Sequence, residues 1–489
     1  MKSRIAISLG ILLGLFCLGS LVLVGLTAGI VWQNASGLPG FTPAEPGATP
    51  LPLNQPTSPT PPAGGAAPAE AVPADQPTGT PIPVVEDAEI LRQMDEIEAQ
   101  VAALRGLEER QPVERRLMNS EALRQHVEKV FLQDYSLEEA QQDVKVLAVF
   151  GLLEKEYDLY NLYLDLYSEQ VAGFYDSEAK VMYVVQANGF GGVERSTYAH
   201  EYTHALQDQT YDLREGLHLN PEYCRENSEY CAALTALIEG DASLTEQYWL
   251  YLHGSEQDNR DIEEFYSMYA SPVLDNAPAF LQEDFAFPYR EGVEFVLGLF
   301  QEGGFAAVDA AYANPPVTTE MILHPQKYPQ DLPTPIELPD FTNWPQRRLT
   351  ELDRGVMGEW YTYLILGYGS DPVWRLSTTQ ASQAAAGWQG DAYWVAWDDE
   401  TRMPLMALLT EWESEQDARE FSNAFSGYGR LRWGTADESS QTDSQTWSET
   451  ADGVVSFARQ GTRTLWLIAP RSADIQRLAP AMTALTGGQ

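Results

Sequence analysis

The longest hydrophobic block, residues 5–32, contains no charged side chain and exceeds the roughly 20 residues that cross a bilayer as a helix. It predicts an uncleaved transmembrane anchor, because a cleavable signal has an apolar run of only about 7 to 15 residues and a small-residue cut site. Lys2 and Arg4 mark residues 1–4 as a cytoplasmic tip, and no Lys or Arg follows until Arg92, so the positive-inside rule places the bulk of the chain outside the cell membrane. Residues 33–85 have no hydrophobic period, and 14 of the 31 prolines fall between Pro39 and Pro83. Such a stretch cannot build a core and reads as a linker, able to hold the folded part on the order of 100 Å off the bilayer when extended.

A helical period begins after residue 86, where Ile90, Met94, Ile97, Val101 and Leu104 recur at spacings of four and three, predicting a packed or stalk helix. Ser136 and Glu139 have capping-box spacing and open a second helix running to about Leu153. The tyrosines and leucines of residues 157–167 fit a core helix, and residues 170–186 fit two short strands around the polar turn DSEAK. A long helix is expected from about 227 to 253, with Gly240 as its weak point. The Pro-rich stretch 324–339 suggests a domain edge. Beyond it come a helix around 350–367, apolar strand-like runs at AYWVAW, LMALLTEW, VVSFARQ and TLWLIAP, a helix at EQDAREFSNAF and a last helix near 473–485. The expected organisation is α+β: a mainly helical domain with a small sheet over 86–345, then a smaller α+β domain over 346–489.

The charge of −41, from 30 basic and 71 acidic residues, repels phosphate backbones and argues against a nucleic-acid partner. Of three cysteines, Cys17 lies within the apolar run, leaving Cys224 and Cys231. These two either pair, which needs a turn between them because seven residues of helix span about 10 Å, or remain as buried thiols. The five tryptophans Trp388, Trp394, Trp397, Trp412 and Trp433 most simply pack a sheet core.

Chemistry concentrates in residues 195–209, RSTYAHEYTHALQDQ. On a helix His200 and His204 share one face a turn apart, with Glu201 beside them. Two imidazoles at that spacing can reach one Zn²⁺ at about 2.0 to 2.1 Å, and a catalytic zinc needs a third protein ligand while leaving a fourth position open. The candidate is Glu239, 35 residues beyond His204 among Ala236, Leu237 and Ala242, where an unpaired carboxylate would be costly to bury. Asp241 is a candidate for orienting an imidazole.

HEYTH followed by EGDA on a later helix resembles the gluzincin metallopeptidases. The resemblance covers roughly residues 130–330 and implies a zincin-like fold, His200, His204 and Glu239 as zinc ligands, and Glu201 as the catalytic base. QVAGFYD, HALQDQ, TEMILHP and GWQGD also resemble segments of poorly characterised bacterial membrane-anchored proteins. The function expected is zinc-assisted hydrolysis of peptide bonds in an extracytoplasmic protein or peptide, with Glu201 moving the proton. The strand VMYVVQ is expected to pair with extended substrate, and His324 and Tyr289 are candidates for an additional transition-state donor. The competing expectations are an envelope binding protein that keeps the zinc fold without turnover, and a structural protein with no metal.

Overall fold

The helix expected from the Ile90 to Leu104 spacing runs Ala88–Arg105 (α1), capped by Asp87, whose side chain accepts from the backbone N–H groups of Glu89 and Ile90, and ended by Gly106 at φ 76°. Met94, Ile97 and Val101 are buried in a cluster with Tyr198, Tyr202 and Trp249, so α1 is a packed helix. The computed structural model describes residues 87–126, 135–170, 173–185, 189–268, 271–344, 347–438, 440–441, 443–483 and 485–486. The expected anchor and linker lie outside these residues, and no helix among them is long and apolar enough to cross a membrane.

The fold is α+β. After α1 come β1 (Glu114–Met118), α2 (Ser120–His126), α3 (Leu137–Phe150) and α4 (Leu159–Gln170). Ser136 and Glu139 make both bonds of the capping box at the start of α3. β2 (Gly173–Asp176) and β3 (Val181–Val185) form the expected hairpin. The unexpected β1, whose ERRLM sequence carries too much charge to read as a strand, adds parallel to β3 and gives the order β1-β3-β2. Both edges of β3 are therefore occupied, which corrects the expectation that this strand pairs with substrate.

Two long helices follow, α5 (Gly192–Tyr211) and, after the short α6 (Pro221–Cys224), α7 (Ser228–His253). The break between α6 and α7 supplies the turn a disulfide requires, and Cys224 and Cys231 are bridged with Cα atoms 5.6 Å apart. Further helices are α8 (Glu256–Met268), α9 (Pro272–Asp275), α10 (Ala279–Gly303), α11 (Phe305–Ala313) and α12 (Thr319–Leu323). Gly240 is no weak point. A Cβ there would fall 2.2 Å from the carbonyl oxygen of Gly292 on α10, and one on Gly292 would fall 2.2 Å from that of Ala236. The two glycines let α7 and α10 meet backbone to backbone.

The remaining elements are β4 (Ile336–Glu337), β5 (Leu349–Gly355), α13 (Gly358–Gly367), α14 (Thr378–Ala385), β6 (Trp388–Asp398), β7 (Met403–Trp412), α15 (Glu415–Trp433), β8 (Ser444–Thr450), β9 (Gly453–Gln460), β10 (Arg463–Ala469), α16 (Ser472–Leu478) and β11 (Leu485–Thr486). The helix expected at 350–367 begins as strand β5, and the one expected at 473–485 ends at Leu478 and continues as a 3₁₀ turn. The sheet is antiparallel with order β5-β6-β7-β10-β9-β8. Both its faces are covered, which is why its central strands read as continuous apolar runs. Trp394, Ala396, Leu405 and Leu467 face one cluster with Leu478. Tyr393, Val395, Met406 and Trp466 face the large cluster that also holds Phe150, Leu237 and Phe287. Phe150 of α3 stands edge-on to Tyr393 and Trp466, so this core runs from the sheet into the helices around α7.

Candidate metal centre

Helix α5 starts where Glu194 accepts the backbone N–H of Gly191 at 3.0 Å. Its sequence is largely polar, yet Ser196, Thr197, His200, Glu201, Thr203, His204, Gln207 and Asp208 are each less than 5% exposed. Polar groups withdrawn from water to that degree need partners, and α7 supplies several of them. His200 Nε2 and His204 Nε2 lie 3.1 Å apart, and Glu239 Oε2 lies 3.2 Å from the first and 3.4 Å from the second. Three atoms each about 2.0 to 2.1 Å from one tetrahedral metal would be separated by about 3.3 to 3.4 Å. The observed triangle has nearly those dimensions, and these three residues form a buried group able to hold a metal ion. Glu239 Oε1 is buried with no hydrogen-bond partner, a costly arrangement that a cation at this point would offset.

The outer nitrogen of each ring is also held. His200 Nδ1 lies 3.2 Å from Glu246 Oε2, and Glu246 Oε1 accepts from Ser196 Oγ at 2.5 Å. His204 Nδ1 lies 2.8 Å from Gln207 Oε1, while Gln207 Nε2 donates to the Ile238 carbonyl at 3.1 Å and to Asp241 Oδ2 at 2.9 Å. An Nδ1–H donating outward leaves both Nε2 lone pairs turned towards Glu239, the tautomer a metal ligand requires. Asp241 does stand behind an imidazole, but through Gln207. Its carboxylate also accepts from Arg105 Nε and Nη2 at 2.7 and 3.1 Å and from Tyr312 Oη at 2.9 Å. Glu246 and Gln207 were not anticipated. Glu246 lies seven residues after Glu239, two turns along the same face of α7, and Gln207 one turn after His204, so helical spacing carried the signal.

Electrostatics favour positive charge here. Burial disfavours protonated His200, yet hydrogen bonds to Glu239 and Glu246 prevail and raise its pKa well above the usual value. His204 is raised against burial by the charge of Glu239, and Glu239 is lowered against burial by the two imidazoles. Glu201, 1% exposed, points towards the hairpin, where its Oε2 accepts the backbone N–H of Tyr175 at 3.2 Å.

Of the two further donor candidates, buried Tyr289 on α10 has its ring 6.4 Å from that of His200. His324 lies in another group: its Nε2 is 2.8 Å from Glu359 Oε1, beside Lys327, which bridges Glu320, Asp331 and Glu413. Those three carboxylates form a second acidic cluster, with the Lys327 ammonium as its cation. No described contact joins His324 to the metal centre.

Residues 347–479 match a family described as a domain of unknown function, DUF8575; the match begins just before β5 and ends just after α16. No curated protein and no solved structure matches the chain.

Proposed function

We propose that the protein is a membrane-anchored, outward-facing zinc peptidase that hydrolyses peptide bonds in an extracytoplasmic protein or peptide. The observation carrying this reading is the buried triangle of His200, His204 and Glu239 beside the carboxylate of Glu201. Two imidazoles and one carboxylate are a catalytic zinc ligand set with a position to spare. When bound, zinc supplies a Lewis acid and lowers the pKa of water towards about 7. Glu201 takes the proton from the attacking water and returns it to the leaving amine. The Tyr175 N–H fixes the rotamer of Glu201, while Glu246 and Gln207 orient the two imidazoles. Tyr289, beside His200, is the favoured additional donor to the oxyanion. Because the Tyr175 N–H points away from β3 to Glu201, the outer edge of β2 borders the same site, and an extended substrate pairs there. The uncharged run 5–32 anchors the molecule in the cell membrane.

The test compares full-length wild type with Glu201→Gln on denatured protein substrates. Hydrolysis should fall on the order of 10²- to 10⁴-fold while both proteins keep about one equivalent of zinc. If both hold zinc and are equally inert, the molecule is a binding protein. Wild type purified without chelator and carrying less than about half an equivalent rejects the metal reading itself.

A further inference from the structure

A groove of about 800 Å³ opens where α3 and the start of α4 meet the ends of β6, β7 and β10. It is independent of the metal centre. Its wall carries three aromatic rings, Tyr157, Tyr160 and Trp397, and three cations, Lys145, Lys155 and Arg402. Lys145 Nζ lies 4.9 Å over the ring of Trp397, and Arg402 is held at φ 55° in the β6–β7 turn, a backbone conformation that a residue with a side chain adopts only at a cost. The facing carboxylates are mostly engaged. Asp452 pairs with Arg432 at 2.9 Å and Lys155 at 3.3 Å, and Asp158 accepts from the Asn161 amide at 2.8 Å. Glu156 is the remaining acid of the wall. Lys145 and Arg402 have no carboxylate partner among the described residues, although acidic residues outnumber basic ones 71 to 30.

An aromatic, cationic groove fits an acidic, proline-rich strand: proline rings stack on aromatic side chains, and a polyproline II segment loses little entropy on docking. The chain contains such a segment. Residues 39–83 carry 14 prolines, the acids Glu45, Glu70 and Asp75, and no Lys or Arg. The segment joins the described fold at Asp87, so Glu45, 42 residues away, reaches about 130 Å at about 3.1 Å per residue, more than the roughly 50 to 60 Å across a folded body of this size. Tethering also raises its effective concentration to the order of millimolar, so weak contacts suffice. We propose that residues 39–83 dock in this groove of their own molecule, with Glu45 at Lys145 and Arg402 and prolines against Trp397, Tyr157 and Tyr160. Docking would shorten the tether and set the height of the folded part above the bilayer.

The experiment uses the full chain in detergent micelles and zero-length carbodiimide coupling, which joins an ammonium to a carboxylate in contact. The expected products link Lys145 or Lys155 to Glu45 within one molecule, and their yield should fall at least tenfold in Arg402→Glu and in Trp397→Leu, which leave every coupling partner in place. Thermal unfolding of each variant serves as a check on folding. Absence of these links, or links unaffected by both variants, overturns the proposal. Links found only between isotopically distinct chains mixed together overturn it as well, and assign the groove to the segment of a second copy.

Discussion

At the scale of single residues, the candidate metal centre depends on side chains outside the His200, His204 and Glu239 triangle. Gln207 joins His204 to Asp241, and Glu246 joins His200 to Ser196. Replacing Gln207 by Ala removes the acceptor for His204 Nδ1 and one donor to a buried carboxylate. Affinity for the proposed zinc ion should fall about 10- to 100-fold, the usual cost of losing such a partner, as read by competition with a chromogenic chelator. Glu246→Gln keeps the shape but removes the charge, so a smaller loss in the same assay is expected. Arg105, 1% exposed, is the charge partner of buried Asp241. Arg105→Met leaves that carboxylate without its cation and should cost about 3 to 5 kcal/mol in urea unfolding. A loss below about 1 kcal/mol would show that Tyr312 and Gln207 alone satisfy Asp241.

At the scale of elements, the α7–α10 contact determines how deeply Glu239 is placed. Alanine in place of a mid-helix glycine ordinarily stabilises by about 1 kcal/mol. At Gly240 the sign should reverse, because the new methyl would lie 2.2 Å from the Gly292 carbonyl oxygen, and overpacking costs about 1 to 3 kcal/mol. Thermal unfolding of Gly240→Ala reads the sign directly, and a raised midpoint would refute the close-approach argument. The same contact explains the sequence misreading: Gly240 looks like a helix weakness until its neighbour is known. β5 escaped notice for a related reason. LTELDRG has no clean alternation, and its strand state comes from edge pairing with β6, interrupted by a register shift between Glu351 and Asp353.

At the scale of the whole molecule, buried Asp284 and Asp391 and half-buried Glu229 crowd the junction between the helical part and the sheet. Asp284 of α10 accepts from Trp360 Nε1 and Tyr361 Oη of α13, both at 2.8 Å. Asp391 of β6 accepts the backbone N–H groups of Met357 and Gly358, and Glu229 of α7 accepts from Thr319. Burial outweighs these bonds, raising Glu229 to about 8 and Asp284 and Asp391 to about 6. A carboxyl whose folded pKa lies above its unfolded value of about 4 favours folding fully below that value and loses the benefit as pH rises through the folded pKa. The metal-free protein should therefore lose stability between about pH 4.5 and 8, with Asp284 and Asp391 contributing up to about pH 6 and Glu229, together with Glu320 raised to about 7, carrying the loss above it. Glu229→Gln should flatten the upper part of that profile in urea unfolding at constant ionic strength. An unchanged slope would mean that Glu229 does not titrate in this window.

Local pattern by itself pointed to the long helix around Glu239, to the β2–β3 hairpin through its polar turn and to the central strands of the large sheet through their continuous apolar runs. The spacing of HEYTH also singled out His200 and His204 with Glu201 beside them, since a turn of helix is enough to align two imidazoles, and the apolar neighbours of Glu239 marked it as the third candidate. Tertiary structure alone brought Glu239 to within 3.4 Å of those rings, set Glu246 and Gln207 behind them, closed both edges of β3 and paired His324 with Glu359. These outcomes depend on contacts between residues far apart in the chain, whose energies come from packing and desolvation and leave no local period to read.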